Sequence, residues 1–173
     1  MGIYSNFKRR KNDFYPTPYK AMLPLLPHLE PGTVFHEPCC GAGDLVQHLG
    51  KHGHLVSGMT DIAKGQDASE LTRCAGDMFI TNPPWTRAIL HPIIENLSEI
   101  APCWLLIDAS WMHTKQSIPY IDRCRKIVSI GRVKWIPDTK MSSLSDCCWY
   151  LFDANNDSPP AFYRRRVCQQ QKK

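Results

Sequence analysis

The sequence predicts an α/β fold in which a largely parallel sheet is covered by helices on both faces. Short apolar runs of four to six residues, bounded by Gly, Pro and Asp, recur along the chain, and runs of that length read as buried strands rather than helices. Helical stretches alternate with them, the order that parallel strands joined by crossovers require. Between the first run and the first of those crossover helices lies Gly41-Ala42-Gly43, so the chain passes from strand to glycine turn to helix.

The elements follow in order. Tyr15-Pro16-Thr17-Pro18 and residues 19–29 read as a helix capped by Thr17, with Pro18 in its first turn. Pro24 and Pro27 must bend or end it. Residues 33–36 form a first strand, 38–43 a turn, and 44–51 a helix whose acidic start, Asp44, suits the helix dipole. Residues 54–59 form a second strand, with Asp61 just past its end, and 77–81 a third that runs into Asn82-Pro83-Pro84-Trp85. A helix from Thr86 to about residue 100 follows, capped by Thr86 and kinked at Pro92. Residues 103–107, 126–130 and 147–152 supply three further strands.

With 173 residues, 43% of them hydrophobic, the chain fits one packed core. It reads as a single domain, 1–173, with basic ends at 1–12 and 160–173. No apolar run approaches the roughly 18 residues of a membrane helix, and the basic start precedes no apolar signal core. A cytoplasmic protein without membrane contact is expected. Most of the eight cysteines sit in apolar segments and no Cys-x-x-Cys occurs, which favours reduced thiols over bridges or a zinc site. His48, His52 and His54 have no cysteine or carboxylate at ligand spacing, so no metal is expected. The net charge is +5, but Lys8, Arg9, Arg10 and Lys11 at one end and Arg164, Arg165, Arg166, Lys172 and Lys173 at the other hold nine of the 21 basic residues. Residues 12–163 carry 12 basic and all 16 acidic residues, a net −4. The ends therefore read as contacts for a polyanion, against the plainer reading of solubilising tails.

Two motifs carry chemistry. The glycines at 41 and 43 let a ligand approach the backbone at the start of a helix, although the third glycine of a dinucleotide fingerprint is missing. Twenty positions after Gly41, Asp61 stands at a strand end, the spacing at which a carboxylate accepts both ribose hydroxyls of an adenosine-bearing cofactor. Asn82-Pro83-Pro84-Trp85 is more specific. Two prolines lock the backbone and leave no N–H donors, so the Asn82 side-chain oxygen and the Pro83 carbonyl can grip a planar amino group while Trp85 offers a face for base stacking.

Asp13-Phe14-Tyr15-Pro16-Thr17-Pro18, Glu37-Pro38-Cys39-Cys40-Gly41-Ala42-Gly43-Asp44-Leu45 and Asn82-Pro83-Pro84-Trp85 together resemble three ordered motifs of the amino-group DNA methyltransferases in their gamma arrangement. The resemblance is to small phage-type N6-adenine methyltransferases of class I, spans residues 13–152 and is strongest before residue 86. It implies a Rossmann-like, mostly parallel seven-stranded sheet with an antiparallel last strand, a role residues 147–152 fit. It also implies S-adenosyl-L-methionine as cofactor and DNA as partner. Tyr15 and Thr17 would hold the cofactor's methionine end with Glu37; Pro38, Gly41 and Gly43 would pass beside it; Asp61 and Ile62 would take the ribose end. Asp67 would accept from the cofactor adenine, although Asp67 and Asp77 also fit ordinary polar loop positions. Asn82 would border the cofactor, and Asn82, Pro83, Pro84 and Trp85 would form the target pocket.

The chemistry this implies needs placement more than a base. An adenine amine conjugates its lone pair into the ring, and two acceptors are needed to favour a tetrahedral nitrogen. The target must be flipped or already single-stranded. The same motif also marks enzymes acting on adenine in RNA, cytosine N4 or protein glutamine amides, and a decayed nucleic-acid-binding module is the rival from another class. There is no room for a separate target-recognition domain, so residues 110–120 and 136–146 are the segments expected to substitute for one. A monomer is assumed.

Overall fold

A computed structural model describes residues 15–136 and 145–165. The expected basic run Lys8–Lys11, the Asp13-Phe14 start of the first motif, most of segment 136–146, and Arg166 lie outside the described residues.

Seven strands form one sheet: β1 (Val34–Glu37), β2 (Leu55–Met59), β3 (Met78–Thr81), β4 (Cys103–Asp108), β5 (Cys124–Arg132), β6 (Asp146–Phe152) and β7 (Ala161–Tyr163). Their spatial order is β2-β1-β3-β4-β6-β5-β7. Every neighbouring pair is parallel except those made by β6, which runs antiparallel to both β4 and β5. Residues 147–152 are thus the antiparallel strand, as expected, but not the last one, because β7 follows and runs parallel to β5.

Alternation along the strands sorts the core into two layers. On β4, Trp104 and Leu106 join one cluster while Cys103, Leu105 and Ile107 join the other; on β6, Cys147 and Trp149 oppose Cys148, Tyr150 and Phe152. Both faces are covered, which is why these strands read as continuous apolar runs. The first layer is closed by α1 (Tyr19–Met22), a 3-10 segment (Leu23–His28) and α2 (Asp44–Gly50), through Met22, Leu25, Leu45 and Leu49. The second is closed by α3 (Arg87–Ile100), through Leu90, Ile93, Ile94 and Leu97, with the turn at Trp111 beside it. A short helix, α4 (Ile118–Ile121), precedes β5.

Two expectations need correcting. The helix placed at residues 19–29 is four residues of α-helix followed by six of 3-10 helix, because Pro24 and Pro27 remove the amides a regular helix would use. Pro18, not Thr17, takes the N-cap; Thr17 is buried, and its carbonyl accepts from His48 Nε2 at 3.1 Å. Residues 160–173 are not wholly a tail. Ala161–Tyr163 pairs in parallel with Lys126, Ile127 and Val128, and Arg125 ties the preceding loop down by donating to the carbonyls of Asp153 and Ser158.

The seven described cysteines are unbridged. Among the described residues there is no group of three metal-ligating side chains, and no helix is long and apolar enough to cross a membrane. Because β1, β2 and β3 are parallel, Glu37, Asp61 and Asn82 are carried to one end of the sheet, the end where open α/β sheets bind ligands.

Candidate active site

A cleft of about 890 Å³ opens at that end. Tyr15, Thr17, Glu37, Pro38, Gly41, Asp61, Ile62, Asp67, Asn82 and Pro84 all line it, so ten residues from five separate stretches of sequence converge on one space.

The loop after β1 is held open by backbone geometry. Gly41 has φ +48° and Gly43 φ +85°, both in the left-handed region that side chains disfavour. Asp61 braces it from β2: one carboxylate oxygen accepts from the Gly41 amide at 2.8 Å, the other from the Ala63 amide at 2.9 Å. Cys40 and Thr60 add a backbone bond of 3.0 Å across the same gap. Asp61 therefore shapes the glycine turn as well as standing on the cleft wall. Gly43 is buried at the N-cap of α2, one step behind the lining.

Glu37 is the most perturbed group in the cleft. It is only 2% exposed, and its Oε2 is buried without a hydrogen-bond partner. Burial, reinforced by the nearby Asp44 and Asp61 carboxylates and opposed by the Val46 amide, pushes its carboxyl up to about 9. At neutral pH the carboxyl is protonated until a cation arrives.

Of the two aspartates, Asp67 lines the cleft and Asp77 does not. Asp67 accepts from the amide and hydroxyl of Ser69 at 2.8 and 2.7 Å, whereas Asp77 accepts from Val34 N at the other end of the sheet.

The Asn82 amide is oriented by its surroundings: Nδ2 donates to the Tyr15 carbonyl at 3.2 Å, which leaves Oδ1 as the acceptor. Pro84 lines the cleft, while Pro83 is buried behind it. Trp85 does not present an open face. It is half-buried, its Nε1 donates to the Leu106 carbonyl at 2.9 Å, and its ring meets Trp135 edge-on at 5.5 Å.

Trp135 was not visible as a site residue in the sequence. Its ring stands 6.2 Å from that of Tyr15 and 5.5 Å from that of Trp85, so the two tryptophans pack behind Tyr15; Tyr15 lines the cleft and neither tryptophan does. No spacing rule marks it, because it lies on the segment leaving β5, 53 positions from Asn82. Lys64, Ile89 and Ile93 also line the cleft. In segment 110–120 Trp111 is buried edge-on to Tyr150 and Phe152 and Ser117 is buried, while Ser110, His113, Lys115, Gln116, Ile118 and Pro119 are exposed.

No protein-family model matches the chain, and no curated protein matches it. Solved structures do. The modification subunit of a proposed type I restriction enzyme from Vibrio vulnificus YJ016 superposes with a TM-score of 0.55 at 14% identity, covering 92% of this chain and 49% of that one. The chain thus spans about half the length of that subunit. A proposed RNA methyltransferase from Pyrococcus horikoshii also gives 0.55, at 17% identity, with 86% and 91% covered. A proposed class I S-adenosylmethionine-dependent methyltransferase from Listeria monocytogenes gives 0.53 at 10% identity, with 86% and 63% covered. The sheet order, the single antiparallel strand and these superpositions agree: the protein has the Rossmann-like fold of the class I methyltransferases.

Proposed function

We propose that the protein is an S-adenosyl-L-methionine-dependent methyltransferase acting on the N6 amino group of adenine in DNA. The observation that carries this is the meeting, in one cleft, of the Gly41 loop and Asp61 with an Asn82 whose amide oxygen is left as acceptor. The residues fit the cofactor. A buried carboxyl oxygen without a partner, at Glu37, suits a cationic amino group; Tyr15 and Thr17 stand beside it; Asp61 and Ile62 suit a ribose; Asp67 suits an adenine amine. When bound, the cofactor supplies a methyl group activated by its positive sulfonium.

The remaining roles belong to the chain. Asn82 Oδ1 and the adjacent Pro83 carbonyl accept the two hydrogens of the target amine and favour a tetrahedral nitrogen aimed at the cofactor. This is catalysis by placement, and water suffices to remove the proton. Tyr15 fixes the Asn82 amide and lines the space a flipped base enters, with Trp135 and Trp85 packed behind it. Nucleic acid is favoured over a protein amide by the basic ends and by the restriction-modification and RNA-modifying neighbours. DNA over RNA rests on the resemblance to phage-type adenine enzymes. RNA is the second reading, favoured by the Pyrococcus neighbour, of which the match covers nearly all.

Incubation with methyl-labelled cofactor and DNA, RNA or protein, followed by digestion and chromatography, tests the assignment. Label in N6-methyladenine from DNA is expected. Label in N4-methylcytosine, methylglutamine or RNA alone would reassign the substrate, and no label on any acceptor would remove the enzyme reading.

A further inference from the structure

The edge strand β7 runs parallel to β5, so its carboxyl end lies at the same end of the sheet as the cleft. There the chain continues into Arg164 and Arg165, both exposed. The register pairs Tyr163 with Val128, which sets the two arginines alongside the carboxyl end of β5, where Arg132 is exposed, with Lys134, also exposed, two residues further on. No ion pair between described residues engages any of the four. Asp146 is the one carboxylate the ladder sets opposite them, across from Arg132.

One of these contacts is shaped by a glycine. The Arg165 guanidinium lies against Gly131, where an added Cβ would stand 2.7 Å from Nη1. Gly131 has φ +79° and sits at a register shift of the β5–β6 ladder. Both the backbone angle and the close approach exclude a side chain. Aromatic surface adjoins the cations: Phe162 is 66% exposed. Beyond Lys134, Trp135 reaches Trp85 and Tyr15, so the segment leaving β5 crosses back toward Asn82.

We propose that Arg132, Lys134, Arg164 and Arg165 form a phosphate-binding ridge, which holds the nucleic-acid backbone on one side of the target base. The inference rests on the methyltransferase reading for what lies in the cleft. Four strand steps separate β3 from β7, about 19 Å at roughly 4.8 Å each. Along B-form DNA, at about 3.4 Å per nucleotide, that places the gripped phosphates within about six nucleotides of the target. Exposed aromatics among cations suit a strand whose bases are partly unstacked.

The test is salt-dependent binding, read by fluorescence anisotropy of labelled 20-mer DNA and RNA, each as duplex and single strand. Three double variants of the full chain are compared with wild type: Arg164→Gln/Arg165→Gln, Arg132→Gln/Lys134→Gln, and a control, Lys51→Gln/Arg73→Gln, which removes two exposed charges elsewhere. Each ridge variant is expected to flatten the slope of log affinity against log salt by about 1.8 on duplex and about 1.4 on single strands, with the control unchanged. Affinity for S-adenosylhomocysteine, measured by calorimetry, is expected to be the same in all four proteins. Ridge variants that keep the wild-type slope, a control that loses as much, or a wild type that binds no nucleic acid would each overturn the ridge. Nucleic-acid binding without cofactor binding would leave the ridge standing and refute the methyltransferase reading instead.

Discussion

At the scale of single residues, the proposed contact between Glu37 and the cofactor makes binding depend on pH. Burial first, then the Asp44 and Asp61 carboxylates, pushes the Glu37 carboxyl from the ordinary 4.5 up to about 9. A cationic ligand favours the carboxylate, so binding releases a proton. Affinity for S-adenosylhomocysteine, whose α-ammonium is the cation concerned, should therefore rise with pH from about 7 toward 9, with Glu37→Gln removing that rise; calorimetry across that range checks it. The sign for stability is opposite. A carboxyl whose folded value is raised stabilises the fold below 4.5, and that contribution is lost as pH climbs toward 9. The ligand-free protein should melt earlier at pH 9 than at pH 6, and Glu37→Gln should lessen the difference. Asp61 has two duties, since its carboxylate already accepts from Gly41 and Ala63. Asp61→Ala should weaken cofactor binding by roughly 1.5–3 kcal/mol per charge-assisted hydrogen bond lost and lower the melting temperature too. Unchanged affinity in calorimetry would remove it from the site.

At the scale of elements, the loops at the carboxyl ends of β1 and β3 set the geometry. Gly43 starts α2 at φ +85°, and an added Cβ would stand 3.2 Å from Met59 Cε. Gly43→Ala should therefore cost about 1–2 kcal/mol of stability, read as a lowered melting temperature. The two tryptophans should separate. Trp85→Ala removes packing from both core clusters and strands the Leu106 carbonyl, a loss of about 3 kcal/mol in folding. Trp135→Ala should spare the fold more and weaken target capture by roughly 1–3 kcal/mol of stacking, separable by comparing thermal melts with anisotropy. The first six strands and the helices α2 and α3 were legible in the sequence: β3, β4 and β6 because strands buried on both faces read as unbroken apolar runs, but β2 only by its apolar composition, since it is an edge strand with Leu55, Val56 and Met59 exposed. The strand β7 was not. Its three residues follow Pro159-Pro160, two of them are exposed, and only the pairing with β5 makes them a strand. The short α1 was overextended because the prolines at 24 and 27 are compatible with a 3-10 continuation that periodicity does not distinguish. In the site, Glu37, Asp61 and Asn82 were readable from local motifs, whereas Trp135 arrives through tertiary packing alone.

At the scale of the molecule, the carboxyl end of the sheet carries Glu37, Gly41 and Asp61 over β1 and β2, Asn82 after β3, and exposed basic side chains beyond β5 and β7. A body of net −4 between basic ends repels a polyanion except where cations gather, and among the described residues Arg132, Lys134, Arg164 and Arg165 are such cations beyond β5 and β7. The proposed activity is methylation of adenine N6 in this cleft through Asn82. The most direct test is mass spectrometry of nucleosides from DNA incubated with S-adenosylmethionine and either the wild-type protein or Asn82→Ala, with S-adenosylhomocysteine affinity measured on both. N6-methyladenine is expected from the wild type alone, with the two affinities alike; N6-methyladenine formed equally by Asn82→Ala, or none formed by a wild type that binds the cofactor, would contradict it.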